Sequence, residues 1–265
     1  MAHHGGKSAL HNILAIPALN DNYIWTIVHL RSQQAVIIDP GEAAPVLDRL
    51  KKEQVQLVAI LITHHHWDHT NGIAEIVNKY KVPVYGPAKD NVVGCDYPLH
   101  EGDRVELPHV ELKFDVIEIP GHTLGHIAYL GHGWAFTGDT LFTAGCGRLF
   151  EGTPEQLYHS LTRLADLDPQ TLIYCAHEYT TANLRFAENV ELDNLNLQQR
   201  ISDTELRRAE RLPSVPATIA LERQTNPFLR CHLPSLQQAA EAYCGQPLAD
   251  KVAVFAALRR WKDEF

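Results

Sequence analysis

The chain has 265 residues, 45% hydrophobic and 21% charged, with 16 glycines and 15 prolines spread along it. That composition excludes fibrous and low-complexity chains and is ample for a packed core without disulfide staples. Lys and Arg total 23 against 32 Asp and Glu, a formal charge of −9, so the whole-molecule field repels phosphate backbones and anionic lipids. No nucleic-acid and no membrane partner is expected, and an anionic ligand must find a local cationic patch. The five cysteines, Cys95, Cys146, Cys175, Cys231 and Cys244, form no CxxC pair, and no apolar run reaches the roughly 18 residues that span a bilayer. A monomer in a reducing cytoplasm is the working expectation.

In chain order, His3 and His4 beside Gly5 and Gly6 read as a flexible leader over residues 1–11, of the kind an affinity tag leaves. Asn12 to Asp39 reads as short strands, with NYIWTIVHL and QAVIID rich in β-branched and aromatic residues, closed by a turn at Pro40-Gly41. A helix is expected over Ala44–Lys52. LVAILIT (57–63) is a continuous apolar run of strand length, as in a strand buried on both faces, and it ends in a histidine cluster. Thr70–Tyr80 reads as helix, and VPVYG (82–86) and VELKFDVIEI (110–119) as strands. IAYL (127–130), WAFTGD (134–139) and TLIYCAHE (171–178) are short apolar segments ending in polar residues or glycine. Polar side chains thus collect at strand ends, as in an α/β protein whose site lies at one rim of its sheets. Beyond about Thr180 the pattern turns helical, notably LQQRISDTELRRAERL (197–212) and the tail from Ala249, with no convincing strand. The expected division is a catalytic domain over 12–180 and a smaller helical domain over 181–265.

The segment Thr63-His64-His65-His66-Trp67-Asp68-His69 concentrates the chemistry. If the chain stays extended beyond its strand, His64, His66 and Asp68 share a side while His65 and Trp67 point away, and His69 falls where the next helix starts. Imidazole nitrogens and a carboxylate at this density suit a divalent metal such as zinc, iron or manganese. His122, Asp139 and His177 also follow strand-like segments. A lone histidine at such a place is ordinarily a hydrogen-bonded residue; all three together are better read as completing a metal site.

These four motifs, THHHWDH, GHT, GDT and AHE in that order, resemble those of the metallo-β-lactamase-fold hydrolases. The resemblance implies an αββα sandwich with a two-metal site at its edge, followed here by the smaller helical region. Carried over, His64, His66 and His122 hold one metal, Asp68, His69 and His177 the other, and Asp139 bridges both. Asn20 to Trp25, Gly145 to Gly152, His177 to Thr180, Asn226 to Arg230 and the RRWKDEF tail are similar to the hydroxyacylglutathione hydrolases, or glyoxalase II, over Ile13 to Phe265. This closer resemblance implies a glutathione site using Arg148, Tyr179, Arg259 and Lys262, with S-lactoylglutathione cleaved to lactate and glutathione. Some members carry tyrosine where this chain has Phe150, so no polar contact is assigned there.

The implied cofactors are two divalent ions, zinc foremost and iron or manganese as alternatives. With +4 from the ions, −2 from Asp68 and Asp139 and −1 from a bridging hydroxide, the reacting centre keeps about +1 and favours an anionic tetrahedral intermediate. Asp39 reads equally as an acceptor orienting a ligand histidine or as a cap of the Pro40-Gly41 turn. His126 is assigned a hydrogen-bonding role, Cys146 close backbone packing, and Glu178 no metal. The rivals are a glutathione persulfide dioxygenase of the same fold with a single iron, and a non-catalytic metal-binding protein. The charge opposes a nuclease, and no export segment supports a secreted β-lactamase.

Overall fold

A computed structural model of the chain describes residues 10–265. Its strands are β1 (His11–Ala18), β2 (Asn22–His29), β3 (Gln34–Ile38), β4 (Gln56–Leu61), β5 (Val84–Pro87), β6 (Tyr97–Leu99), β7 (Arg104–Leu107), β8 (Leu112–Glu118), β9 (Ile127–Gly131), β10 (Trp134–Gly138), β11 (Leu141–Phe142), β12 (Gly145–Cys146), β13 (Leu172–Cys175) and β14 (Ala217–Thr218). Its α-helices are α1 (Ala43–Glu53), α2 (Trp67–Thr70), α3 (Ile73–Tyr80), α4 (Pro154–Ala165), α5 (Thr180–Val190), α6 (Leu195–Ala209), α7 (Ile219–Thr225), α8 (Pro234–Cys244) and α9 (Lys251–Glu264).

Two six-stranded sheets, ordered β1-β2-β3-β4-β5-β6 and β14-β13-β10-β9-β8-β7, face each other, and β11 and β12 form a separate hairpin. The period-2 pattern of the strands divides their side chains between layers. In β3, Val36 and Ile38 enter the core between the sheets, where they meet Phe114, Tyr129, Phe136 and Tyr174, while Ala35 and Ile37 pack outward with Val46, Leu50, Ile73 and Ile76 of α1 and α3. Covered on both sides, the strands β3, β4 and β5 run parallel and can be apolar throughout. The outer face of the second sheet buries Ala128, Ala135 and Ile173 against Leu157, Leu161 and Leu164 of α4 and against Phe186, Phe228, Phe255 and Leu258. This is the αββα sandwich expected, and the C-terminal helices share the apolar cluster of its second outer layer.

Three boundaries differ from the sequence reading. His11, inside the stretch assigned to the leader, is buried in β1; residues 1–9 lie outside the described residues. The expected Thr70–Tyr80 helix is two helices, because α2 starts at Trp67 and the chain breaks at Asn71 and Gly72. The C-terminal region contributes β14, which pairs antiparallel with β13; a two-residue strand leaves no periodicity to read.

A buried network ties that region to the β11–β12 hairpin. Glu222 of α7 accepts from the backbone N–H of Ala144 at 2.8 Å and from Asn226 Nδ2 at 3.0 Å, and pairs with Arg200 of α6. Asn226 Nδ2 also donates to the Gly145 carbonyl at 2.9 Å. Ala144 has φ 56°, a left-handed conformation that costs a non-glycine residue energy and needs support. Glu222→Ala strands the buried Arg200 charge, so it should destabilise the protein by about 3–5 kcal/mol, read as a shift in the urea unfolding midpoint.

Candidate functional site

Strands β3, β4, β10 and β13 end at one rim, and the segments that leave them carry Asp39, the histidine cluster, Asp139 and His177. The loop between β8 and β9 adds His122. The chain bends at Thr63, and with His66 again extended it turns into α2 at Trp67. That turn overturns the expectation that Asp68 shares a side with His64 and His66. His64 Nε2 and His122 Nε2 lie 3.1 and 3.0 Å from His66 Nδ1. Asp68 Oδ2 instead lies 3.5 Å from both His69 Nε2 and His177 Nε2. Asp139 stands between the two groups: its Oδ2 is 3.5 Å from His122 Nε2, and its Oδ1 is 3.4 Å from His69 Nε2 and 3.3 Å from His177 Nε2. All seven residues of the expected set therefore converge. His65 points elsewhere, to Asp90 and Glu151.

The outer partners dictate which nitrogen faces inward. His177 Nδ1 lies 2.8 Å from Asp21 Oδ1, His69 Nδ1 3.1 Å from Asp39 Oδ2, and His122 Nδ1 donates to the Arg148 carbonyl at 2.9 Å. Thr63 Oγ1 donates to Asp39 Oδ2 and so accepts from His64 Nδ1 at 3.1 Å. Each contact holds a proton on Nδ1 and turns Nε2 into the cluster. Asn22 Nδ2 donates to Asp68 Oδ2 at 3.0 Å. Gly41 lets the loop after β3 touch the motif, since a Cβ there would stand 1.8 Å from the Asp68 carbonyl oxygen.

Charge completes the description. Burial pulls His64 far below the ordinary histidine range and lowers His66 and His122, leaving neutral imidazoles. Burial also acts on His69 and His177, but Asp139 and the neighbouring carboxylates outweigh it and raise both. Asp139 stays ionised despite burial because His177 and His69 oppose it. The inward-facing His69 Nε2 and Asp139 Oδ1 are buried without a hydrogen-bond partner, a state native interiors avoid unless another group satisfies them. Five imidazole nitrogens and two carboxylates around such atoms fit divalent cations, and His64, His66 and His122, like Asp68, His69 and His177, bring their donor atoms within 4.8 Å of one another.

A cavity of about 530 Å³ opens beside the cluster, with His122, Asp139, Arg148, Tyr179, Arg259 and Lys262 among its lining residues. All four residues expected at the glutathione site thus meet there. Tyr179 stacks on His177 with ring centroids 4.7 Å apart. Phe150 sets its ring edgewise against His66 and His122 at 5.6 and 5.2 Å. Cys146 is buried in the wall, and burial pushes its thiol up to about 11, so it is a neutral packing group. Asp39 spends its carboxylate on Thr63 and His69 rather than on the turn. His126 Nε2 accepts from Asp139 N at 3.1 Å, the hydrogen-bonding role expected. Glu178 faces Tyr23, Arg208 and Ser214, away from the cluster.

Asp263 was not foreseen. Its Oδ1 lies 3.3 Å from Arg148 Nε and 3.1 Å from an Arg259 amino group. Arg259 is only 4% exposed, donates to the Cys146 carbonyl at 2.8 Å and lies over the Phe228 ring. Arg259→Ala should therefore cost about 1–3 kcal/mol of stability through the unsatisfied carbonyl, against about 0.5–1.5 kcal/mol for Lys262→Ala, which loses a single bond to the Ala182 carbonyl; urea melts of the two variants check the order.

Residues 21–177 match the family model described as the metallo-beta-lactamase superfamily, and residues 178–265 the model described as hydroxyacylglutathione hydrolase C-terminus. The chain is 54% identical to a hydroxyacylglutathione hydrolase of Alkalilimnicola ehrlichii, over 95% of this chain and 98% of that protein. It is 49% identical to one of Nitrosomonas europaea, over 96% of each. Among solved structures it resembles ETHE1 from Myxococcus xanthus, with a TM-score of 0.66 and 24% identity over 95% of this chain and 91% of that one, a likeness of fold alone. It also resembles TTHA1623, solved in a di-iron-bound form, with a TM-score of 0.59 and 25% identity over 82% of this chain and 99% of that one. With these matches over nearly its whole length, the chain belongs to the hydroxyacylglutathione hydrolase family of the metallo-β-lactamase superfamily.

Proposed function

We propose that the chain hydrolyses the thioester of an S-(2-hydroxyacyl)glutathione, chiefly S-lactoylglutathione, to lactate and glutathione, at the junction of the rim cluster and the adjoining cavity. The observation that carries this reading is the joining, in one cavity, of a metal-type donor cluster to a cationic lining. His64, His66 and His122 would hold one divalent ion, Asp68, His69 and His177 a second, and Asp139 faces both; zinc suits this nitrogen and oxygen set, as do iron and manganese. When bound, such ions supply Lewis acidity toward a carbonyl oxygen and lower the pKa of water toward about 7. The outer partners Asp21, Asp39 and Thr63 orient the imidazoles, so the site needs little rearrangement to bind.

Glutathione carries two carboxylates and one ammonium, and the cations Arg148 and Lys262 in the cavity lining would receive the carboxylates. Arg259, spent on Cys146 and Asp263, shapes the lining and adds to its positive field. The thioester would then lie toward Asp139. Water adds its oxygen to the acyl carbon, the C–S bond breaks, and the sulfur leaves as a thiolate whose conjugate acid has a pKa near 8.5. No helix of the described residues is long and apolar enough to cross a membrane, and all five cysteines are free thiols. The reading includes a monomer in a reducing cytoplasm, and the formal charge of −9 opposes nucleic-acid and anionic-lipid partners.

A strong chelator should abolish thiol release from S-lactoylglutathione, and zinc, iron or manganese should restore it without oxygen consumption; stoichiometric oxygen uptake on glutathione persulfide with no thioester cleavage would instead indicate the dioxygenase. Asp139→Ala should lose both ions and reduce turnover by orders of magnitude, while His65→Ala should be far milder; two tightly held ions in the Asp139 variant, measured by elemental analysis, would refute its shared role. Burial and the nearby Arg259 pull the Lys262 amine down to about 8. Its charge is present below that pH and lost above it, so KM should rise between pH 7 and 9, and Lys262→Arg should flatten the rise. Lys262→Ala should raise KM about tenfold at pH 7 with little change in kcat, equivalent to roughly 1.4 kcal/mol of uniform binding.

A further inference from the structure

Asp90, in the loop that follows β5, belongs to none of the motifs, yet its side chain is almost wholly buried. Its Oδ1 accepts from the backbone N–H of Gly125 at 2.7 Å. Its Oδ2 accepts from Thr123 Oγ1 at 2.7 Å and from the backbone N–H of His65 at 3.2 Å, and lies 3.1 Å from His65 Nδ1. These donors come from two separate segments. One carries His64 and His66 on either side of His65, and the other carries His122 just before Thr123. A Cβ at Gly125 would stand 2.2 Å from Asp90 Oδ1, so the approach is one that only glycine permits.

Asp21 and Asp39 each address the ring of a single histidine, His177 and His69. Asp39 also accepts from the backbone N–H of Thr63, one position before His64; Asp90 differs in gripping the backbone between two of the histidines and the loop of a third. We propose that Asp90 is a positioning residue that sets the spacing of His64 and His66 relative to His122, and through that spacing the affinity of this half of the cluster for a divalent cation. The proposal rests on the metal reading above. Its physical basis is that a carboxylate accepts on both oxygens, whereas an amide of the same shape accepts on one and turns an NH2 toward a donor it cannot satisfy.

The test is a zinc titration of the full chain in competition with a chelator, followed through the side-chain ¹⁵N shifts of the imidazoles. Asp90→Asn should raise the zinc midpoint at His64, His66 and His122 at least about tenfold, while His69 and His177 keep theirs. Thr123→Val, which removes one donor and leaves the carboxylate, should move the same three histidines in the same direction by less, and it decides the matter if Asp90→Asn does not fold. Unchanged midpoints, or a parallel shift of all five histidines as expected from general loosening of the fold, would overturn the proposal. An absence of any zinc-dependent shift in the unaltered chain would instead remove the metal reading, and this proposal with it.

Discussion

Two carboxylates and five imidazoles are forced into one small volume at the rim of the sandwich, and the rest of the structure serves to make that crowding tolerable. Asp139 is buried between two histidine groups, with one oxygen toward His122 and the other toward His69 and His177. Each outer contact, from Asp21, Asp39, Thr63 and the Arg148 carbonyl, turns Nε2 inward. Where Asp139 raises His69 and His177, a proton takes a position that a cation would otherwise fill. The apolar layers behind the cluster are fully buried, with Ile38, Leu61, Phe136 and Tyr174 anchoring the strands that end at the rim.

A formal charge of −9 is reconciled with an anionic substrate locally. Helix α9 brings Arg259 and Lys262 to the same cavity as Arg148 of the catalytic segment, and Asp263 bridges the two arginines. The β11–β12 hairpin is the hinge of this assembly: Glu222 and Asn226 hold it from one side, Arg259 grips the Cys146 carbonyl from another, and Phe142 lies against Tyr179. The C-terminal helices therefore complete the cavity while sharing the outer core of the second sheet.

Much of this was legible in the sequence, for a definable reason. The alternation within β3, the two-sided burial of β4 and the density of donors from His64 to His69 are local properties of the chain. His122, Asp139 and His177 could be grouped because each follows a strand-like segment. The partition of Asp68 was misjudged from the pattern because the backbone leaves the extended state at Trp67, and a single helical turn carries Asp68 to the opposite group. The outer partners were not legible at all. Asp21 meets His177 across 156 residues and Asn22 meets Asp68 across 46, and no periodicity connects such pairs. Asp263 was hidden for the opposite reason: an acidic residue near a chain end looks like ordinary surface until the fold sets it between two arginines.

Anomalous diffraction from crystals of the chain grown with zinc would show whether Asp139 joins two cation sites. Two peaks about 3.5–4 Å apart are expected, one among His64, His66 and His122 and the other among Asp68, His69 and His177, with Asp139 touching both. A single peak, or two peaks of which one lies away from Asp139, would contradict that shared role.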